Sequence, residues 1–267
     1  MNLKNLPLIS IITPSYNQAQ FIRATIDSVL SQDYPHLEYF VIDGGSTDGT
    51  LEILKSYGHK IKWQSGKDAG QSDAINKGLK LAQGDLLAYL NSDDIYFPGT
   101  LRRVGEYFAR TRADWITGDC LTIDEHGNPS KSDWLISGYK RVLRACARLS
   151  TLRTLRTLDS PFPQPSTFWS RTAWEKVGEF NTKYHYVMDY DYWLRLAKYY
   201  RPHDLKLVLS GFRMHNQSKS ETDRGRFLIE GVSMLKENGA KSWEITLHKI
   251  HSDIVRLAYN LLKKLNA

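Results

Sequence analysis

The sequence predicts an α/β fold, in which a mostly parallel sheet is flanked by helices. Two observations lead to this prediction. Short apolar or β-branched runs alternate with segments of helical periodicity through the first third of the chain. A polar, turn-rich loop follows each run, as expected where parallel strands end at one edge of a sheet. The expected strands are 8–13, 39–42, 61–64 and 86–90, and the expected helices are 20–32, 51–57 and 70–81.

The first two loops are polar, but they are not phosphate-binding loops of the common kinds. Ser15-Tyr16-Asn17 follows Pro14 at the end of the first strand. The loop over 43–50 has neither the G-x-G-x-x-G spacing of dinucleotide folds nor the Gly-Lys-Ser/Thr of a P-loop. Asp43 would repel a pyrophosphate there. An acidic residue at a strand end instead suits accepting a hydrogen bond from an N–H or a ribose hydroxyl.

The fourth strand ends in the tetrad Asn91-Ser92-Asp93-Asp94, around which the rest of the chain is organised. Adjacent carboxylates at this edge offer oxygen ligands of the kind that Mg²⁺ or Mn²⁺ binds, with phosphate oxygens and water completing the shell. The alternative interpretation is a turn that also caps the following helix. The tetrad alone leaves both open.

The second half is less regular. We expect helices over 98–112 and 171–177, a strand over 114–118, a turn over 124–128 between antiparallel strands, and an extended segment over 160–165. A helix begins at Met188 with Asp189 and Asp191 in its first turn, where ordinary N-terminal capping is the alternative to a functional role. A strand over 205–209 follows. The end is helical, with apolar residues at 247, 250, 254, 257 and 261.

Composition narrows the class of protein. The chain has 267 residues, 41% of them hydrophobic, which is enough for one substantial core or for a core with a small appendage. Cys120 and Cys146 indicate no disulfide framework and no Cys-based zinc site, so a reducing cytoplasm is the expected location. No apolar run reaches the roughly 20 residues of a membrane span, and residues 1–7 lack the core of a signal peptide. The net charge of +7 fits a phosphorylated substrate or anionic lipid better than nucleic acid, whose binding motifs are missing from the sequence.

Residues 138–158 carry six basic side chains and no acidic one. Arg141, Arg144 and Arg148 share one side of the helical wheel, and beyond Ser150 the sequence period changes to three. We therefore expect two short helices broken near Ser150. One hypothesis is an interfacial patch, including Arg153 and Arg156, that contacts anionic lipid at the inner face of the cytoplasmic membrane. The other is a solvated helical surface packed on the core.

Seven segments, in order along the chain, together resemble the family 2 glycosyltransferases, which are inverting enzymes with the GT-A fold. These segments are 13–17, 43–50, 70–78, 91–94, 164–169, 188–191 and 212–215. The resemblance implies a GT-A domain over 1–220, with a nucleotide-sugar half over 1–120 and an acceptor half over 121–220. A helical C-terminal extension over 221–267 would follow.

The resemblance also implies roles for individual residues. Asp93 would be the principal metal ligand and His215 would lie near the metal and the diphosphate, although a place in the core or at a helix cap is the alternative for a lone histidine. Asp189 would be the catalytic base, since Met188 stands where the family has Glu and leaves one carboxylate there. Tyr16 would lie against the base of the donor, and Asp43 would accept from the N–H of that base. The other expected donor-binding residues are Pro14, Asn17, Asp73, Asn76, Asn91, Ser92 and Lys219, and the expected acceptor contacts are Asp191 and Trp169.

The chemistry agrees with these residue types. A single displacement at the anomeric carbon needs one base for the acceptor hydroxyl, and a divalent cation, Mn²⁺ or Mg²⁺, to offset charge on the departing nucleoside diphosphate. We therefore expect an inverting, metal-dependent glycosyltransferase with a nucleotide-sugar donor, in particular a UDP-sugar. The expected acceptor is a surface glycan or a lipid-linked saccharide.

Two alternatives stay open. One is a catalytically inactive subunit that binds a nucleotide sugar, although retention of Asp93 and Asp189 argues against it. The other is a nucleotidyltransferase, which would usually need a Gly-rich, basic loop after the first strand; Pro14-Ser15-Tyr16-Asn17 is neither.

Overall fold

The computed structural model describes residues 5–130, 133–158, 160–215 and 224–265. Its first four strands are β1 (Ile9–Ser15), β2 (Leu37–Asp43), β3 (Lys62–Ser65) and β4 (Leu86–Tyr89). The other four are β5 (Ile95–Tyr96), β6 (Trp115–Ile123), β7 (Thr167–Ser170) and β8 (His203–Arg213). All eight form one sheet in the order β3-β2-β1-β4-β7-β6-β8-β5. The predicted α/β class is therefore confirmed.

The first four strands form the parallel part of the sheet, as the sequence predicts. β1 pairs in parallel with both β2 and β4, and β2 pairs in parallel with β3. The connecting helices are α1 (Ile22–Leu30), α2 (Thr50–Ser56) and α3 (Gln71–Leu81), each within a few residues of its predicted range. This part of the fold follows from the regular alternation of strand and helix patterns.

The remainder adds three antiparallel pairings to a sheet in which four pairings are parallel. β7 runs antiparallel to both β4 and β6, and the short β5 runs antiparallel to β8, while β6 and β8 are parallel. β5 and β7 are absent from the sequence predictions because they are too short to show a strand period. The helices here are α4 (Thr100–Thr111), α5 (Asp133–Leu149), α6 (Thr151–Thr157), α7 (Arg171–Val177), α8 (Met188–Leu196), α9 (Arg224–Glu237) and α10 (Ser242–Leu265).

Alternate strand residues supply the two cores on opposite faces of the sheet. Ile9 and Ile11 of β1 pack in one core with residues of α1, α2 and α4, whereas Ile12 packs in the other with residues of α3 and α8. Side chains alternate between the faces of a strand, so one short run can serve both cores. The buried apolar character of β1 and β4 follows from this two-sided covering.

The basic segment packs on the core, which contradicts the lipid-patch hypothesis at its central residue. The predicted break at Ser150 is confirmed, since α5 ends at Leu149 and α6 begins at Thr151, although α5 is 17 residues long rather than short. Arg144 is buried, pairs with Asp119, lies 3.2 Å from Asp204, and donates to the carbonyl of Pro161. Arg144 therefore neutralises buried carboxylates and does not face a lipid surface.

Among the described residues, no helix combines the length and the apolar character needed to cross a membrane.

Candidate active site

The polar loops gather at the carboxyl ends of the parallel strands. β1 pairs with β2 as far as Ser15 and Asp43, but its pairing with β4 stops at Ile12 and Tyr89. The order of the strands also reverses direction between β1 and β4. In open α/β sheets, a crevice at such a switch point is the usual place for a ligand.

The loops after β1 and β2 are tied to each other. The amide N–H of Asn17 donates to the hydroxyl of Ser46 at 2.7 Å, and the amide of Thr47 donates to Oδ1 of Asn17 at 2.9 Å. Asn17 has φ of 52°, a conformation that asparagine tolerates better than most residues. Asn17 therefore holds the two loops together, and its predicted contact with a donor remains a prediction.

Asp43 organises the second loop. The residue is 1% exposed. Its Oδ2 accepts hydrogen bonds from the amides of Gly45 and Ser46 and from the hydroxyl of Ser65, and its Oδ1 accepts from the hydroxyl of Ser46. The carboxylate thus fixes its own loop. The predicted acceptance from a donor base stays a prediction, and Oδ1 is the oxygen with the spare capacity.

Tyr16 and Pro14 differ in what they offer a ligand. Tyr16 is 63% exposed beside the crevice, so its ring has a face available for a planar base. Pro14 is buried inside β1, opposite Ile42 of β2. The ring of Pro14 packs within the sheet, and its predicted contact with a donor stays a prediction.

The two polar residues predicted on α3 also differ. Asp73 is partly exposed and lies 2.9 Å from Nζ of Lys77, and a hydrogen bond from the amide of Ala69 is the main cause of a pKa below its usual range. Asn76 is buried, and its amide exchanges two hydrogen bonds with the main chain of Phe180, at 2.8 and 2.9 Å. Both ends of the Asn76 amide anchor the segment before α8, and its predicted contact with a donor stays a prediction.

Asp93 and His215 come together although 122 positions separate them. Nε2 of His215 lies 3.0 Å from Oδ2 of Asp93. The ring of His215 packs against Phe21 at a centroid distance of 4.5 Å, and Ser92 beside Asp93 is buried. Among the described residues, no group of three or more His, Cys, Asp or Glu could hold a metal. A carboxylate and an imidazole nitrogen aimed at the same space nevertheless fit a divalent ion that takes its remaining ligands from phosphate and water.

A residue absent from the sequence predictions, Arg213, supports this pair. Its guanidinium donates to the carbonyl oxygens of Asp93, Asp124 and Glu125, at 2.8 to 2.9 Å, and its amide donates to Oδ1 of Asp94. Arg213 and His215 are two residues apart in extended chain, so they share one side of it. That spacing is the signal from which Arg213 could have been predicted.

Asp94 and Asn91 anchor the tetrad to the rest of the protein. Asp94 is fully buried, and burial followed by the nearby charge of Asp93 raises the pKa of its carboxyl well above the usual range. Asn91 accepts from Gln71 at 2.6 Å and donates to Gln164 at 3.1 Å, and Gln164 donates to the carbonyl of Tyr89. The amide of Asn91 is thus occupied within the protein, and its contact with a donor stays a prediction.

Asp189 lies in the first turn of α8 and is partly buried. Burial raises the pKa of its carboxyl, and the nearby cation of Lys140 opposes that rise. Burial also raises the pKa of the Tyr89 phenol, and the charges of Asp189 and Asp94 raise it further. Met188 anchors this turn, with its sulfur 3.1 Å from the hydroxyl of Ser72 on α3. A carboxyl with a raised pKa is suited to taking up a proton.

The structure places both predicted acceptor residues inside the protein, and their contact with an acceptor stays a prediction. Asp191 is buried, and its carboxylate accepts from Nε of Arg195 at 2.8 Å and from the amide of Asn238 at 2.9 Å. Trp169 is fully buried, with its ring within 5.9 Å of the rings of Phe180, Tyr192 and Trp193. Neither side chain has a surface for a saccharide. The predicted donor-binding residue Lys219 lies outside the described residues.

Comparison with known proteins gives the family. The sequence model of Glycosyl transferase family 2 matches residues 10–173, which is more than half of the chain. A glycosyltransferase of Rickettsia typhi is 30% identical over 223 residues, covering 81% of this chain and 67% of that protein. TuaG of Bacillus subtilis, named for teichuronic acid biosynthesis, is 40% identical over 130 residues, which is 46% of this chain and 50% of that protein. Among the other curated relatives, the chain spans only 31–35% of the Rickettsia felis, conorii and bellii proteins.

Two solved structures show the same fold at low sequence identity. Residues 1–349 of TarS from S. aureus, in complex with UDP-GlcNAc, align with a TM-score of 0.65 at 18% identity, covering 93% of this chain and 71% of that chain. The mannosyltransferase PcManGT from Pyrobaculum calidifontis, in complex with GDP-Man and Mn²⁺, aligns with a TM-score of 0.63 at 20% identity, covering 87% of this chain and 63% of that chain. The chain therefore belongs to glycosyl transferase family 2 and is a glycosyltransferase with the GT-A fold.

Proposed function

We propose that this chain is an inverting, divalent-metal-dependent enzyme that moves a sugar from a nucleotide-sugar donor, a UDP-sugar, to a hydroxyl of an acceptor saccharide. The observation that carries the proposal is the 3.0 Å contact between Asp93 and His215 after the end of β4, together with Asp189 in the first turn of α8, which contacts α3 through Met188 and Ser72. One pair of groups can hold a cation, and one carboxyl can take up a proton. An inverting transfer needs these two parts and no covalent nucleophile.

Asp93 and His215 are the residues that would hold the cation. Oxygen ligands favour Mg²⁺ and Mn²⁺, and an imidazole nitrogen is compatible with the latter. When bound, the cation would offset the negative charge that develops on the departing nucleoside diphosphate. The presence of Mn²⁺ in the mannosyltransferase complex supports a metal of this kind.

Asp189 is the proposed base. The acceptor hydroxyl loses its proton to the Asp189 carboxylate as its oxygen forms a bond to the anomeric carbon of the donor. The bond from that carbon to the diphosphate breaks in the same step, and its electron pair leaves with the nucleoside diphosphate. Attack opposite the departing group inverts the anomeric configuration. The raised pKa of the Asp189 carboxyl favours proton uptake, because a base is most effective when its pKa approaches the working pH.

The donor would lie in the crevice between β1 and β4. The exposed ring of Tyr16 is available to a base there, and Asp43, Asn17, Asp73, Asn91, Ser92 and Lys219 are the other proposed donor contacts. UDP-GlcNAc in the TarS complex supports a uridine nucleotide. The GDP-Man complex of PcManGT shows that a guanosine nucleotide also occurs on this fold, so both bases belong in the test.

The proposed acceptor is a surface glycan or a lipid-linked saccharide. TuaG, the relative named for teichuronic acid biosynthesis, supports a cell-envelope polymer. The proposed place of action is the cytoplasm, with peripheral contact at the inner face of the cytoplasmic membrane where a lipid-linked acceptor would lie.

A panel of nucleotide sugars tests the donor. With Mn²⁺ present, a true donor should raise the melting temperature, since a ligand at about 100 times its Kd adds about 2.7 kcal/mol of stability. Slow hydrolysis should then release UDP, and the transferred sugar should have the inverted anomeric configuration. Release of pyrophosphate would favour the nucleotidyltransferase alternative. Donor binding with no turnover on any acceptor would favour the inactive subunit.

A further inference from the structure

α10 has a second apolar face that is exposed in the described structure, although the guanidinium of Arg153 lies over the ring of Trp243, 5.5 Å from the ring centroid. Five large side chains on this helix are 45–63% exposed, namely Trp243, Leu247, Ile250, Ile254 and Leu257. We call these five the α10 stripe. A different face of the same helix, with Ile245 and His248, is buried against the protein. The α10 stripe is therefore not needed to attach the helix to its own core.

The shape of the α10 stripe indicates a helical partner. The residues are separated alternately by four and three positions, which is the 3.5-residue period of a helix-pairing seam. At 3.6 residues per turn, all five lie within an arc of about 80°. A helix that lies in a bilayer interface presents a broader apolar face with basic residues beside it. A narrow seam of Leu and Ile is instead what two paired helices interleave.

The order of residues in the α10 stripe is symmetric. Leu247, Ile250, Ile254 and Leu257 read the same in both directions about residue 252. In an antiparallel pair with a two-fold axis beside residue 252, Ile250 would meet Ile254 of the second copy, and Leu247 would meet Leu257. A two-fold interface requires this kind of self-complementary surface. We propose that the α10 stripe pairs with the same stripe of a second copy of this chain, in antiparallel orientation.

The exposed charges beside the α10 stripe complement each other in this arrangement. Lys249 and Asp253 are both exposed and lie on the same flank of the stripe. In the antiparallel pair, Asp253 of each copy comes within about 3 Å, along the helix axis, of Lys249 of the other copy. The two-fold axis makes two such ion pairs on that flank. Asp253 also lies nearer the stripe than Lys249 does. Its negative charge would make contact of the α10 stripe with an anionic lipid surface unfavourable.

Sedimentation of the whole chain over a range of concentrations tests the proposal. The wild type should approach the mass of a dimer. Ile250→Glu combined with Ile254→Glu should remain a monomer and weaken association at least about 10-fold, because each Glu would face apolar groups of the second copy. Leu81→Glu, at an exposed apolar residue of α3, is the matched control and should still form the dimer. Circular dichroism and UDP affinity should be unchanged in both variants.

Two further measurements test the orientation without disturbing the fold. Asp253→Lys should weaken the dimer, and adding Lys249→Asp should restore it. In a Cys146→Ser background, which removes an exposed thiol, a mixture of Leu247→Cys and Leu257→Cys chains should form a disulfide-linked dimer, while each variant alone should not. Cross-linking of each variant with itself would overturn the antiparallel arrangement. A monomeric wild type, or a monomer that co-sediments with anionic vesicles through the α10 stripe, would overturn the proposal.

Discussion

Replacing Arg213 tests whether the metal pair depends on a buried tether. The residue is 4% exposed, and its guanidinium binds the main-chain oxygens of Asp93 at 2.8 Å, Asp124 at 2.9 Å and Glu125 at 2.8 Å. Arg213 also leads directly into the chain that carries His215. It therefore ties both proposed metal-holding residues to the turn at 124–128.

The expected cost of Arg213→Met follows from those contacts. A hydrogen bond to a charged group contributes about 1.5–3 kcal/mol, and three carbonyls would lose their donor. Water can satisfy part of this loss, so we expect unfolding to become easier by about 3 kcal/mol. We also expect the Mn²⁺ concentration needed for tight UDP binding to rise at least about 10-fold, which corresponds to about 1.4 kcal/mol. Arg213→Lys keeps the charge but not the fork of donors. Its stability and its Mn²⁺ requirement should therefore lie between those of the wild type and of Arg213→Met.

Urea unfolding and Mn²⁺ titration of UDP binding measure the two effects separately. Arg144→Met is the matched control, because Arg144 is equally buried but binds Asp119 and Asp204 instead of the metal loop. It should destabilise the fold by about 3–5 kcal/mol, the usual cost of breaking a buried ion pair. Its Mn²⁺ titration should match the wild type. Identical titrations for the Arg213 and Arg144 variants would refute the tether.

Three further predictions concern the proposed site. Asp93→Asn should remove most Mn²⁺-dependent UDP affinity. Its unfolding free energy should change by no more than about 0.5 kcal/mol, as for other partly exposed loop residues. Unchanged activity in EDTA would contradict the metal role of Asp93. Asn76→Ala should lower stability by about 2–3 kcal/mol, because two buried main-chain groups of Phe180 lose their partner, and should leave UDP affinity near wild type, as measured by calorimetry. Burial raises the pKa of the Asp189 carboxyl, so its charged form costs folding free energy at neutral pH. Asp189→Asn should therefore be more stable than wild type above that raised pKa, and a pH series of melting temperatures should show the gain disappear below the ordinary carboxyl pKa of about 3.9.

The parallel half of the fold could be predicted because its signals are local. β1, β2 and β4 are short apolar runs, the first three strands are each followed by a helix, and the ranges of these strands and helices agree with the predictions within a few residues. β7 could not be predicted in this way, because four residues between a proline-rich segment and a helix show no period. Its antiparallel pairing with β4 and β6 depends on the whole sheet.

Three of the predicted site residues each have a partner far away in the sequence. Residue type suggests function for Asn76, Asp191 and Trp169, but Phe180, Asn238 and Tyr192 lie 104, 47 and 23 positions away from them, respectively. A helical wheel likewise shows the basic face that contains Arg144, but it cannot show the buried carboxylates beyond that helix. Those carboxylates decide whether the face is solvated or packed.

The two residues of the proposed metal pair are not related by any local sequence pattern, but the fold brings them together. Only the family resemblance relates Asp93 to His215 in the sequence, yet the sheet brings them within 3.0 Å. β8 pairs in parallel with β6 and antiparallel with β5 beside the tetrad, and these pairings carry the end of β8 to the loop after β4. Long-range topology therefore supplies what local pattern cannot.

The rate of sugar transfer in Asp189→Asn, measured at saturating donor, tests whether Asp189 is the base of the transfer. Asparagine keeps the size of the side chain but cannot take up the proton. We expect donor affinity near wild type and a transfer rate lower by at least about 100-fold, the low end of what a general base contributes. Asp191→Asn, in which the carboxylate that binds Arg195 is altered, should keep most of the transfer rate of its folded fraction. An active Asp189→Asn, or a folded but inactive Asp191→Asn beside it, would contradict the assignment.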